Sequence, residues 1–478
     1  MSYKRKKTKI VATLGPAVSS KEMLLDMVAA GVNVFRINFS HADYDDVRQR
    51  IKYIRDINKE HGYNAAILAD LQGPKLRVGV MKDDVVVAPS DEIVFATGKR
   101  FEGTNNRVYM TYDQFPQDTN PGERILLDDG KLIFEVVSTN KKDAVKAKVI
   151  QGGPLKSKKG VNLPNTAISQ PALTEKDKKD ALFAIEQEVD WIALSFVRNP
   201  EDLMELEAII SKNSSYKIPI IAKIEKPEAV ENIDKIVAYC DGLMVARGDL
   251  GVEIPAQEVP LIQKQLVLKA KSARIPVIIA TQMMESMIES LTPTRAEVND
   301  VANSVMDGAD AVMLSGETSV GQYPVEVVKK VSDIIKSVEN SDLIHVPQKY
   351  PHIKTKRYIT KSVCYHAAHM ANQINARGIA TLTNSGYTAF QISAWRPKAH
   401  ILVYSSNKRI IPQLNLLWGV RAFYYDRFVS TDETVEDVNK MAMEKGYLEE
   451  GDMVISLAAM PIQEKGMVNT LRVTEVKS

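Results

Sequence analysis

A chain of 478 residues exceeds one ordinary domain, and two to four are expected. It is 45% hydrophobic and 26% charged, ample material for a large core. The formal net charge of +2 gives no reason to expect nucleic acid or an anionic membrane as partner. The basic start, Lys4 to Lys7, precedes an apolar run too short for a signal peptide, and nothing later approaches a membrane span. Cys240 and Cys364 lie far apart and suit a reducing compartment, so a cytoplasmic location is expected.

Lys9–Leu14 reads as a short strand ended by Gly-Pro, and Ser19–Ala30 carries helical periodicity. A second strand falls at Val32–Phe39, a charged amphipathic helix at Tyr44–Glu60, and a third strand at Ala65–Ala69. From about Gly73 to Leu173 the rhythm breaks into short β-like runs with turn signals between them and no convincing amphipathic helix. This is the pattern of a small all-β domain inserted into an α/β domain. Alternation resumes at Thr174 with TEKD, a helix start. Strands are predicted at Trp191–Ser195, Ile218–Ala222, Gly242–Ala246, Pro276–Ala280 and Asp310–Leu314. Three strands before the insert and five after make eight β/α units. A TIM (β/α)8 barrel is the reading, with a doubly wound sheet as the alternative.

The stretch Ile218–Pro255 is the centre of this pattern. Two strands flank a single predicted helix, Pro227–Tyr239, and each strand ends in charge: Lys223 and Glu225 on one, Arg247, Gly248 and Asp249 on the other. Alternation along a strand points Lys223 and Glu225 one way, and likewise Arg247 and Asp249. Taken alone, the cluster reads equally as a divalent-metal site with a lysine beside it or as two strand-end ion pairs. The other strand ends favour a functional site. Arg36, Asn38, Ser40, His41, Asp70, Ser195, Thr281, Gln282, Ser315 and Glu317 all fall there, on the face where barrel enzymes keep their chemistry.

A linker rich in proline and basic residues, Val346 to Lys356, leads to a third, α/β segment. It has a helix at Ile359–Asn375 and strands at Gly378–Thr383, His400–Tyr404 and Met453–Leu457. Its Thr383–Thr388 loop leaves a strand and opens a helix, which is either an oxyanion cradle or a plain helix cap.

The strings TKIVATLGP, RINFSH, DLQGPKLR, KKGVNLP, IAKIE, VARGDLGVEIP, ATQMMESM and PTRAEVNDVANSVMDGADAVMLSGET occur in order, and the chain thereby resembles the pyruvate kinase family from Thr8 onward. The resemblance implies a barrel over 1–72 and 174–345, an inserted β-barrel-like lid over 73–173, and a C-terminal α/β regulatory domain over 346–478. It implies neither a further C-terminal domain nor a long N-terminal extension. The implied activity is phosphoryl transfer from phosphoenolpyruvate to ADP, giving ATP and pyruvate, the last step of glycolysis. Glu225 and Asp249 match ligands for Mg²⁺ or Mn²⁺, and Lys223 and Arg36 match phosphoryl-binding cations. Gly248, Asp249 and Thr281 match positions that hold the substrate carboxylate. Ser315 and Glu317 match groups near the protonation site. Asn38, His41, Arg77 and Lys159 resemble nucleotide contacts, Lys159 reading otherwise as a solvated loop lysine.

Asn38, Ser40, Asp70 and the carbonyl of Leu71 match a monovalent-cation site, but Lys75 stands where potassium-dependent members carry glutamate. The chain thus resembles the potassium-independent branch, and K⁺ is not expected to be required. At ~4 Å and an effective dielectric of about 20, the Lys75 charge is worth roughly 4 kcal/mol, enough to stand in for K⁺. Thr383, Ser385 and Thr388 match an effector-phosphate loop. Asn384 and Tyr387 replace basic residues there, and Leu457–Asn469 adds Glu464. A monophosphate such as AMP or a sugar phosphate, or no activator, is expected before fructose 1,6-bisphosphate. Family precedent implies a homotetramer.

Overall fold

The computed structural model describes residues 5–40, 42–83, 85–164, 166–341, 357–427, 430–460 and 467–477. The linker expected at 346–356 lies outside them. Eight parallel strands close into a barrel: β1 (Lys9–Thr13), β2 (Val34–Asn38), β3 (Ala66–Asp70), β4 (Trp191–Leu194), β5 (Ile220–Ile224), β6 (Gly242–Ala246), β7 (Val277–Ala280) and β8 (Ala311–Leu314). β8 pairs back onto β1 from Lys9↔Ala311 to Ala12↔Leu314, which excludes the open doubly wound sheet.

Apart from Arg36 and Asn38 at the end of β2, the strands are buried on both faces, so they read as largely apolar runs with polar residues at their ends. Successive side chains still part company. Ile10, Phe35, Ile67, Ile192 and Ile279 point outward into the layer shared with the helices. Val11, Val34, Leu68, Ala193, Ile221, Met244 and Ile278 point inward and fill the barrel. Continued to the carboxyl end, the inward parity reaches Thr13, Arg36, Asn38, Asp70, Ser195, Lys223 and Glu225.

Helix ends follow the local sequence. Thr174 and Asp177 form a capping box ahead of the helix Glu175–Glu186, and Thr294 and Glu297 do the same for Arg295–Asp307. Two predicted elements differ from the structure. Pro227–Tyr239 is two short helices, Pro227–Glu231 and Ile233–Ile236, parted at Asn232. The strand expected at Ile218–Ala222 runs Ile220–Ile224, which places Lys223 inside it.

Between β3 and β4 lie a six-stranded sheet and a two-stranded ribbon with their own apolar core, around Ile93, Phe95, Phe115, Ile125 and Phe134. One four-residue helix, Phe115–Asp118, interrupts this otherwise all-β segment. The C-terminal sheet runs Val420–Tyr424, His400–Ser405, Gly378–Leu382, Met453–Ala458, Thr470–Glu475, with the last strand antiparallel. Its first and last strands, and the helix Thr431–Glu444, were not predicted.

This third segment closes the amino-terminal end of the barrel. Leu416 is fully buried among the inward residues of the strands. Beside it, fully buried Lys9 donates to the Val420 carbonyl at 2.8 Å and to Asn415 Oδ1 at 3.3 Å. Asn415 donates in turn to the carbonyls of Asn33 and Asn64, at 3.1 and 2.8 Å. Burial lowers the Lys9 pKa, and Arg421 and Lys6 lower it further. Leu416→Ala would open a cavity in this floor, and we expect about 2–5 kcal/mol lower stability by urea denaturation. An unchanged midpoint would show that the floor collapses without loss.

Candidate active site

Lys223 is the hub of the carboxyl-end cluster. Its Nζ donates to Ser195 Oγ at 2.6 Å and lies 3.1 Å from Asp70 Oδ1 and 3.0 Å from Glu225 Oε1. Asp70 takes Arg36 Nε at 2.5 Å on its other oxygen, and Arg36 Nη1 donates to Thr13 Oγ1 at 3.1 Å. Register explains the pairing, since Asn38 stands opposite Asp70 on neighbouring strands and Arg36 lies one inward step below. Burial opposes the Lys223 ammonium, but Asp70 and Glu225 outweigh it and raise its pKa. Burial likewise opposes the Asp70 carboxylate, and Lys223 and Arg36 overcome it, so its pKa falls. Glu225 goes the other way: burial and the nearby Asp249 charge raise it against the pull of Lys223.

The chain bends sharply to hold this cluster. Ser195 donates to the Leu71 carbonyl at 2.7 Å, and the Phe196 N–H, at φ +55°, donates to Glu225 Oε2 at 2.8 Å. Gly73, at φ +70°, packs so closely that an added Cβ would lie 2.7 Å from the Phe196 ring. Its N–H donates to Asp177 Oδ1 at 3.0 Å.

Arg247 and Asp249 do not share a strand face as predicted. β6 ends at Ala246, and Arg247–Glu253 is a short helix, which turns residues two apart to opposite sides. Arg247 swings onto Asp300 at 2.6 Å and onto the Ala280 and Thr281 carbonyls at 3.2 and 2.7 Å. Asp249 is left lining the cleft below the inserted sheet. Gly248 N–H donates to Thr281 Oγ1 at 2.7 Å, and Thr281 itself sits at φ +71°. Glu317 is buried, and burial raises its pKa. Its two oxygens accept the N–H groups of Met284 and Ser315 at 3.0 and 2.7 Å, tying the β7 and β8 loops together.

The cleft is walled by Lys75, Gly160, Asn162, Arg198, Lys226 and Asp249 among others. Besides the Gly73–Asp177 bond, Asn162 donates to Glu253 at 3.0 Å and Arg198 donates to the Ile168 carbonyl at 2.6 Å, fastening the inserted segment to the barrel. Buried Lys226 pairs with the same Glu253 at 2.6 Å. Lys75 is exposed on this wall and is not paired with Asp70. Lys159 turns to Asp128 at 2.9 Å within the inserted sheet. Arg77 donates to the Lys158 carbonyl at 2.9 Å and lines a separate pocket with Arg100, Phe101 and Tyr109, so the structure does not bring it to Lys223. His41 lies outside the described residues. Asn38 Oδ1 accepts the Ser40 N–H at 3.1 Å, folding the end of β2 over the cluster.

Thr13, Asn162, Arg198, Lys226 and Glu253 escaped the sequence reading. Thr13 was findable, because it shares the inward parity of Val11. The other four meet across segments too distant in sequence for any local signal. In the third segment, the helix Tyr387–Ala394 opens at Gly386 as predicted. Thr383 Oγ1 accepts the Gly386 N–H at 3.0 Å, Ser385 is exposed, and buried Thr388 bonds Thr381 at 3.0 Å. Glu464 lies outside the described residues.

A closed parallel barrel, with carboxylates around a lysine at its carboxyl end and a β-sheet inserted over them, defines a three-part barrel enzyme. Family models described as pyruvate kinase, barrel domain, and pyruvate kinase, alpha/beta domain, match residues 5–328 and 361–474. The chain belongs to the pyruvate kinase family of phosphotransferases. It is 43% identical to a pyruvate kinase of Corynebacterium glutamicum over 98% of this chain and 97% of that one. It is 41% identical to one from Geobacillus stearothermophilus, over 98% of this chain and 80% of that one. A solved pyruvate kinase from Cryptosporidium parvum superposes with a TM-score of 0.91 at 32% identity, covering 98% and 96% of the two chains.

Gly73→Ala should cost about 1–3 kcal/mol, because the alanine must adopt φ +70° and displace Phe196, whose N–H holds Glu225. A thermal-denaturation midpoint equal to wild type would refute this account of the turn.

Proposed function

We propose that the Lys223 cluster binds phosphoenolpyruvate and transfers its phosphoryl group to ADP, releasing ATP and pyruvate. The observation that carries this reading is one ammonium held at 3.0–3.1 Å by two buried carboxylates, with a guanidinium paired to one of them. Such an array fixes positive charge where the transferring phosphoryl group and the enolate oxygen would lie, without reorganisation during the reaction. Lys223 and Arg36 neutralise the phosphoryl group. The Gly248 N–H and Thr281 Oγ1 hold the carboxylate, and Thr281 stands near the carbon that gains a proton. Glu317 positions the Ser315 loop.

Glu225 and Asp249 suit a divalent ion. Their oxygens are hard donors, and burial together with the nearby Asp249 charge raises the Glu225 pKa against the pull of Lys223, which supports two carboxylates facing one place. When bound, Mg²⁺ or Mn²⁺ would supply charge neutralisation at the phosphoryl oxygens. Asn38, His41, Arg77 and Lys159 are assigned to the nucleotide. Lys159 must then leave Asp128 and Arg77 must leave its own pocket, which fits a lid hinged near Gly73-Pro74 and Leu163-Pro164.

We assign the chain to the potassium-independent branch. Asp70 already has two cations, and Lys75 forms no ion pair among the described residues, so its charge is left to act on the cleft it shares with Asp249. The Asn38, Ser40, Asp70 and Leu71 positions then need no K⁺. The C-terminal unit, divided from the barrel at 345/346, is a regulatory domain for a monophosphate such as AMP or a sugar phosphate, or for no activator, rather than for fructose 1,6-bisphosphate. Of its three candidate hydroxyls, Thr388 is buried against Thr381, Thr383 is engaged by Gly386, and Ser385 is exposed. A homotetramer built through barrel and C-terminal faces is the proposed assembly. No described helix is long and apolar enough to cross a membrane, and a cytoplasmic location suits the two buried free cysteines.

Lys223→Met should lower turnover a hundredfold or more, roughly the 3–4 kcal/mol of one well-aimed donor. Pyruvate release from phosphoenolpyruvate, ADP and Mg²⁺ measures it, and near-normal turnover in folded variant would sink the assignment. In tetramethylammonium buffer the wild type should be equally active with and without KCl, whereas Lys75→Glu should need KCl. Wild-type activity seen only with KCl would discard the role given to Lys75.

A further inference from the structure

A second cationic cluster lies far from Lys223, where the barrel meets the C-terminal unit. A small, partly open pocket there is bounded by Lys271, Arg274, Asp310, Phe390 and Arg396. Lys271 projects from the helix Val259–Ala273 and is 5% exposed. Its Nζ has no hydrogen-bond partner, and neither has the buried Nε of Arg396. The ammonium lies against Gly308, where an added Cβ would sit 2.3 Å from Nζ.

Among the described residues, the one carboxylate on this cavity, Asp310, is fully engaged. Asp310 Oδ1 accepts Arg396 Nη1 at 3.0 Å and the Trp418 N–H at 3.1 Å. Its Oδ2 accepts Arg396 Nη2 at 2.9 Å and the Val277 N–H at 3.1 Å. Arg274 stacks on Trp395, 3.7 Å from the ring centre, with Cys364 and Tyr387 near its charge. Among the described residues, Lys271 and the Nε of Arg396 therefore face a space whose carboxylate is already spent. A buried donor left without an acceptor is costly, and a buried ammonium without a counter-ion more so.

We propose that this cavity binds a small inorganic monoanion of halide size, held by Lys271 and Arg396 and bridging the barrel to the C-terminal unit. The cavity admits little more than one water-sized particle, which excludes phosphate or an organic acid as occupant. Burial, together with Arg396, lowers the Lys271 pKa to about 6. An unoccupied site therefore leaves Lys271 neutral when folded and charged when unfolded over the range from about 6 to 10.5, and across it stability rises with pH. An anion retains the proton on folded Lys271, so binding is coupled to proton uptake and weakens as pH rises.

Bromide is the probe. Crystals of the full chain soaked in sodium bromide should show an anomalous peak beside Lys271 Nζ. At equal ionic strength, bromide should raise the melting temperature by a few degrees over sodium gluconate, whose anion is too large to enter. That gain should be larger near about pH 6 than about pH 9 and should vanish in Lys271→Met. Water without anomalous signal in the cavity, or the same bromide gain in the variant, overturns the proposal. The crystallographic arm needs no variant, so a folding defect in Lys271→Met leaves it decisive.

Discussion

The strict alternation of side chains along eight parallel strands is the constraint on which everything else rests. Because successive residues face opposite ways, one parity must satisfy the helices and the other must fill the barrel. The inward parity is small or branched and apolar through the middle, from Val11 and Val34 to Met244 and Ile278. Two residues further along it becomes Thr13, Arg36, Asp70, Ser195 and Lys223. No loop has to deliver these groups. They arrive at fixed positions because the strands beneath them are packed, and a one-residue slip would send them to the wrong face.

That rigidity permits an electrostatic arrangement costly to assemble from mobile parts. Lys223, Asp70, Arg36 and Glu225 are nearly buried together, and against burial Lys223 and Arg36 hold Asp70 ionised while Asp70 and Glu225 hold the proton on Lys223. Removing one partner leaves a buried charge uncompensated, a heavier penalty than the loss of an exposed pair. The imbalance that remains falls on Glu225 and Asp249. The barrel thus holds negative charge in readiness for a cation and positive charge in readiness for a phosphoryl group, within one strand end of each other.

The eight strands were legible because each is a short apolar run between turn signals, and the hub was legible because strand-end charge is conspicuous in such runs. Arg247 was misread for a physical reason. Gly248 and Gly251 disfavour helix by local propensity, yet Arg247–Glu253 is helical because the backbone must turn under Thr281 and over the cleft. The lid fastening from Asn162 to Glu253 spans β-insert and barrel, and no local pattern encodes it. Lys271 was invisible for the same cause: in KAKSAR it looks like any solvated helix lysine, and only the packing of the C-terminal unit buries it. Thr388 shows the converse, a residue in a recognisable loop whose hydroxyl the fold has turned inward.

The floor of the barrel has a consequence for how the chain is made. β1 precedes the residue sealing its base, Leu416, and the acceptors of Lys9 on Asn415 and Val420 by some four hundred positions. During synthesis all eight strands emerge before that seal exists, leaving an apolar well open at one end with a lysine at its mouth. Domains emerge in order from the N-terminus, and contacts of long sequence separation form last. The third segment is therefore a built-in stopper as well as an appended unit, and the catalytic barrel is finished only after Leu416 and Val420 have emerged.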